Sequence, residues 1–303
     1  MNAQDAVALA IENAFPREVV KLPLFGADNI ATPHYGLCFE DANCREDWIR
    51  TTCKQAYVPH TRQDVIDICT AAVSGFELTA DDVKVDAHFV QGLGHAVAVT
   101  PTVKYRRSIF GGDTVFPTVI VRAYYGNAFR ATVGLRRDVC DNMMLIKNVA
   151  ESNIWLAHSS NFREHFDQTV DQFRGLIAKS DNIVEAMQAL HEVRVKGSEI
   201  TETLYPEQQG VSKRTQQVRD ARISRIVARM VTERWQLDEQ PAQPFNETDW
   251  SLWEIVNGVQ GYAQHDKKRV GKKDFASRAF TALNDSEVQA AYDWAFEVAG
   301  LAA

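Results

Sequence analysis

Between residues 83 and 137 the hydrophobic pattern repeats every second residue and is broken at short intervals by glycine, which confines this stretch to antiparallel strands joined by tight reversals. The segments are VKVDAHFV, HAVAVTPTVKYRRSIF, TVFPTVIVRAYY and AFRATVGLRR, and the links between them are QGLG, GGD and GN. Alternation places successive side chains on opposite faces, so four such segments in sequence read as a β-meander. Gly126-Asn127 suits a two-residue hairpin turn. In that register Tyr124 faces Phe129, Ile120 faces Val133 and Thr118 faces Leu135, with Arg122 the misfit on an apolar face. Pro101 and Pro117 lack the ladder N–H, so their strands must be at an edge, bulged or interrupted there.

The flanks change period. TRQDVIDICTAAVSGF carries Val65, Ile66, Cys69 and Val73 at helical spacing behind a capping Thr61, with Gly75 to stop it. After the meander, Phe162, Phe166, Val170, Phe173 and Ile177 recur every three or four residues, Asn161 and Glu164 are placed to cap, and the stripe is long enough to cover a sheet. Further helices are expected at 1–15, 183–195, 213–235, 250–261 and 285–299, short strands at 19–23 and 34–40, and a loop at 196–210. The expected fold is α+β: an antiparallel meander covered by helices, followed by a mostly helical C-terminal part. The expected organisation is a core domain over 1–180, a helical extension over 181–237, a linker over 238–249 and a helical region with a basic loop over 250–303.

A hydrophobic content of 45% with 24% charged residues suits a chain that buries a core. No apolar run reaches the roughly 18 residues of a membrane helix, and the N-terminus has no basic start before an apolar stretch, so no membrane partner and a cytoplasmic location are expected. Cys38, Cys44, Cys53, Cys69 and Cys140 are odd in number and form no C-x-x-C pair, which argues against a zinc ribbon and against a disulfide scaffold.

Candidate chemistry is sparse. His158 and His165, and His88 and His95, have no companion ligands at metal spacing, so structural or surface roles are the expectation and no metal is assigned. Cys140 beside Arg137 could be an activated thiol, and Asp81-Asp82 or Asp138 with Asp141 could hold magnesium. A buried thiol and turn or capping carboxylates are the simpler readings. No catalytic residue and no cofactor is assigned, and the chain reads as a non-enzymatic protein.

Charge is more informative. The net charge is -7, yet 101–137 holds Lys104, Arg106, Arg107, Arg122, Arg130, Arg136 and Arg137 against Asp113 alone. A second concentration, at 213–234, includes Arg219, Arg222, Arg225 and Arg229 opposite an apolar stripe of Ile223, Ile226, Val227 and Met230. A third, DKKRVGKKD, contains Lys267, Lys268, Lys272 and Lys273. Arginine and lysine on a sheet among Tyr124 and Tyr125 is a combination that tracks phosphates and stacks bases. The alternative is a solvated face, or one paired to the acidic first hundred residues. The candidate nucleic-acid contacts are Lys104, Arg106, Arg107, Arg130, Arg136, Arg137, Arg219, Arg222, Arg225, Arg229, Lys267, Lys268, Lys272 and Lys273, with single-stranded DNA favoured.

In GLRRDVCDNMMLI, residues Arg137, Val139, Cys140 and Asn142 approximate an arginine-valine-cysteine-x-asparagine element, and here the chain resembles the phage and plasmid family called domain of unknown function 932. The likeness continues in HSSNFREHFDQTV, similar to a histidine-led helix of that family, and in TPHYGLCFED and YVPHTRQDVIDI. It implies a mobile-element setting beside replication and recombination genes. With the meander-and-helix outline of single-strand annealing proteins, a fold-level analogy, it yields the expectation of a homo-oligomeric nucleic-acid-binding protein assisting recombination or replication. The alternative expectation is an interaction module, such as a counter-defence inhibitor that binds a host protein.

Overall fold

The structure, a computed structural model, describes every residue except 45–46, 75–77, 103–104, 138–142, 145–152, 174–179, 208, 238–243, 268–274 and 302–303. Helix α1 (Ala3–Ala14) leads into strands β1 (Val19–Phe25), β2 (Ala31–Phe39) and β3 (Trp48–Lys54), which pair in that order as a small antiparallel sheet. Helix α2 (Arg62–Val73) starts at the expected capping box, with Thr61 and Asp64 each satisfying the other's backbone N–H.

The meander follows as β4 (Val83–Val90), β5 (Gly94–Pro101), β6 (Arg107–Phe110), β7 (Asp113–Tyr124) and β8 (Phe129–Arg137), with β9 (Met143–Met144) and β10 (Asn153–Leu156) added at its far side. The order across this seven-stranded sheet is β10-β8-β7-β5-β4, with β6 also on β7 and β9 also on β8. The single strand expected over 95–110 is two strands, broken after Pro101. Pro117 falls where pairing of β7 to β5 has ended at Val119 and pairing to β6 begins at Val115, so its missing N–H costs no ladder bond on that side.

The β7–β8 register differs by one residue from the expected one: Ala123 pairs with Phe129, Val119 with Val133 and Pro117 with Leu135. The loop closes one residue earlier than a two-residue turn would, with Asn127 N–H on the Tyr124 carbonyl and Gly126 at φ 81. The shift sends Val119, Val121 and Ala123 to one face with Phe129, Ala131 and Val133, where they meet α1, α2 and α3 (Phe162–Phe173). Phe162, Phe166, Val170 and Phe173 cover the sheet as expected; Ile177 lies outside the described residues.

The helical C-terminal part comprises α4 (Ser180–Glu192), α5 (Gly197–Leu204), α6 (Lys213–Gln236), α7 (Leu252–His265), α8 (Phe275–Leu283) and α9 (Ser286–Val298), with β11 (Arg194–Lys196) and β12 (Asp249–Ser251) pairing between them. The stretch expected as a loop at 196–210 therefore contains α5, and β3 and β12 were not expected at all. Helix α7 is buried all round; Trp253, Ile255, Val256 and Val259 lie in a core that also takes Ile109, Val115 and Leu135 from the sheet. Its buried polar groups are paired, Glu254 with Arg234 and Gln260 with the Tyr292 hydroxyl at 2.7 Å. Among the described residues no helix is long and apolar enough to cross a membrane.

Candidate nucleic-acid interface

One face of the large sheet is spent on the aliphatic core, so any site must use the other. There the floor is mostly small and is itself buried: Ala96, Ala98 and Thr100 on β5, Thr118 on β7 and Thr132 on β8, with Ile120 on β7 the one large side chain among them. Thr100 and Thr118 share a hydroxyl hydrogen bond at 3.0 Å. Over this floor stand three arginines, Arg122 on β7 and Arg130 and Arg136 on β8.

Arg122 and Arg130 are direct cross-strand partners, and the same row continues through Ala96 to the exposed His88 on β4, and in the other direction to Trp155 on β10. Directly opposed partners project to the same face, and like charges in such a pair repel. Arg130 Nε is buried and meets no hydrogen-bond partner. Trp155 is 62% exposed, whereas its neighbours Ile154 and Leu156 turn into the core. At about 4.8 Å per strand the row His88 to Trp155 spans roughly 19 Å. At its centre Arg122 lies over the rings of Phe280 (5.0 Å) and Tyr124 (5.5 Å), because α8 rests on this part of the face through Ala279, Phe280 and Leu283.

The remaining expected contacts are placed very differently. Arg136 crosses two strands to Asp86 at 3.0 Å, and Arg107 pairs with Asp181 at 2.9 Å. Arg137 is not at the surface at all: 1% exposed, it is held by Asp113 and Glu233 and lies over Trp253, while the Trp253 indole donates to Asp113 at 2.7 Å. Residue parity puts it on the inward face at the end of β8, where the helical part closes over it; it is withdrawn as a phosphate contact. Burial pushes the Glu233 carboxyl up from its ordinary value, and the Arg137 charge opposes that.

Helix α6 pairs most of its cations internally. Arg219 donates to the Tyr205 carbonyl, Arg222 pairs with Glu287 and Arg229 with Asp266, while Lys267 bonds Asp285 at 2.5 Å and Glu287 at 3.0 Å. Arg225 is exposed at a cleft that Arg229, Glu233 and Asp266 also line. Arg106 is exposed, its Nε on Thr114 at 2.9 Å. Lys104, Lys268, Lys272 and Lys273, and with them Asp138, Cys140 and Asp141, lie outside the described residues.

The structure thus gathers Arg130 with two residues that the sequence did not nominate. Arg122 was visible as a charge out of place in an apolar alternation, and that misfit was the signal. Trp155 gave none, because a four-residue strand shows too little alternation to assign a face.

No curated protein and no solved structure matches the chain. The profile of the family described as domain of unknown function (DUF932) matches residues 107–290, more than half of the chain and a span that contains β6 to β8, the arginine pair, Trp155 and the helices up to the first turn of α9. The chain belongs to the DUF932 family.

Proposed function

We propose that this chain is a non-enzymatic nucleic-acid-binding protein of a phage or plasmid that assists recombination or replication, and that it takes a single strand across the Arg122–Arg130–Trp155 row. The observation that carries the reading is the direct opposition of two arginines beside an exposed indole. Anionic phosphates relieve the repulsion within the arginine pair, and the indole offers a stacking platform that every base fits. Stacking on an aromatic needs an unpaired base, which is why a single strand is favoured over a duplex. Exposed Arg106 and Arg225 add charge outside the row. Arg107, Arg136, Arg137, Arg219, Arg222, Arg229 and Arg234 have internal partners and are assigned to the fold.

Fluorescence anisotropy with labelled single- and double-stranded oligonucleotides at two salt concentrations tests this. Binding is expected to weaken steeply with salt. Trp155→Ala is expected to lose about 1–3 kcal/mol of affinity for the single strand, and Arg130→Gln to flatten the salt dependence. Absence of binding at low salt by the folded protein overturns the proposal.

A second reading, an interaction module that binds a host protein, has one observation in its favour: Leu22, Phe25 and Trp48 on the small β1-β2-β3 sheet, and Ile30 in the loop between β1 and β2, are exposed. A discrete partner retained from host lysate after nuclease treatment, and lost on Trp48→Ser, is its expected signature.

A further inference from the structure

Three histidines distant in sequence meet in the interior. His60 immediately precedes the cap of α2, His95 lies on β5, and His158 follows β10. They are 0%, 1% and 8% exposed. His60 Nδ1 lies 2.9 Å from His158 Nε2, and His60 Nε2 lies 2.9 Å from His95 Nδ1. His158 Nδ1 is 2.7 Å from the Asn127 carbonyl, in the β7–β8 hairpin.

One proton assignment satisfies this chain. A carbonyl only accepts, so His158 Nδ1 carries a hydrogen. Burial keeps the ring neutral, so its Nε2 is an acceptor and His60 Nδ1 must donate to it. His60 Nε2 is then an acceptor in turn, and His95 Nδ1 donates. The chain ends at His95 Nε2, a buried lone pair that meets no hydrogen-bond partner. A proton added to His60 or His158 would set two N–H groups against each other, so only the His95 end accepts one without breaking a bond.

The surroundings favour neutral rings. Phe15, Phe89, Phe129 and Phe162 pack around them, and Tyr125 stacks on His60 at 4.2 Å while its hydroxyl donates to the His60 carbonyl. Tyr57 stacks on His158 at 5.0 Å and accepts from Gly126 N–H. The charges facing the cluster are Arg62 on α2 and Arg163 on α3, each bonded to a carboxylate, Glu18 and Asp64 respectively. No carboxylate bonds any of the three rings among the described residues. Burial holds His95 down to about 3 and His158 down to about 4, with Arg62 and Arg163 adding to the shifts, and His60 is lowered well below its ordinary value for the same reason.

We propose that His158, His60 and His95 form a one-way hydrogen-bonded latch, each ring carrying its proton on Nδ1, that fastens β10 and the β7–β8 hairpin to the start of α2 and opens as the rings take up protons. A ring released to water regains an ordinary histidine pKa of about 6.5, so opening is driven by acid from that pH downward. The latch holds the strand from which Trp155 projects, but it stands whether or not nucleic acid binds there.

Nitrogen-15 NMR of histidine-labelled full-length protein at pH 7.5 should show all three rings as Nδ1–H tautomers, and an Nε2–H tautomer at His60 or His158 overturns the proposal. Hydrogen exchange supplies the second readout, with rates corrected for intrinsic exchange. Opening of β10 and hairpin amides should increase about a thousandfold from pH 7.5 to 5.5, roughly tenfold for each ring released. His95→Asn, whose amide can still donate to His60 but does not titrate, should reduce this to about a hundredfold. A wild-type change below tenfold, a His95→Asn response equal to wild type, or β10 and hairpin amides that open with the same free energy as those of α7 at both pH values, which would mean that they exchange only by global unfolding, each overturns the latch. Should His95→Asn fail to fold, the wild-type tautomers and the α7 comparison still decide.

Discussion

Arg137 shows how far one side chain's role departs from its charge. On sequence it is one basic residue of a cluster; in the fold it bridges Asp113 and Glu233 at the junction of sheet and helices. Removing it strands two carboxylates in a dry site. Arg137→Ala is therefore expected to cost about 3–5 kcal/mol in urea unfolding at neutral pH, far more than Arg106→Ala, whose side chain is exposed. Equal effects of the two substitutions would contradict the placement. The sign of the pH dependence also follows: Glu233 has a raised folded pKa, so ionising it costs stability as pH rises through the acidic range, and loss of Arg137 enlarges that cost.

At the scale of elements, the decisive feature is the register of β7 on β8. A one-residue slip exchanges the two faces, and here it selects Val119, Val121 and Ala123 for the core and leaves Arg122 on the floor of mostly small residues beside Arg130. Gly94 helps fix the neighbouring pairing. It has φ +142, a backbone angle that side-chain-bearing residues avoid, and a Cβ there would collide with the Ala123 carbonyl oxygen. Gly94→Ala is expected to destabilise by roughly 3 kcal/mol, the sum of backbone strain and overpacking, read as a lower thermal midpoint. Strands of eight or more residues and helices with three or four apolar turns were legible in the sequence, because periodicity over that length has few competing explanations. The capping box at Thr61 was legible for a local reason too, since both its hydrogen bonds lie within four residues. Strands β3, β10 and β12 and helix α5 were not, being short segments whose conformation is chosen by what they pack against.

For the whole molecule, the buried histidines set an acid limit. Their folded pKa values are depressed, so the unfolded chain binds more protons and stability falls with pH. It is fully present above about pH 6.5 and declines by roughly 1.4 kcal/mol per pH unit per ring until the folded pKa is reached, near 4 for His158 and 3 for His95. Urea midpoints at pH 7.5, 6.5 and 5.5 should show a flat upper interval and a steep lower one, and His95→Asn should make the lower slope shallower. A midpoint that does not move between pH 6.5 and 5.5 would contradict the neutral trio.

By itself the sequence determined the class of fold, the meander and its covering helix, the basic character of the centre and the likeness to the DUF932 family, because periodicity, turn chemistry and local motifs are written within a few residues of one another. Only the tertiary structure decided which arginines face solvent, which are bound by acids up to 99 residues away, and that His60, His95 and His158 touch. Those outcomes depend on register and on packing between segments distant in the chain. Neither leaves a mark in the local pattern, so charge could be counted from the sequence but not placed.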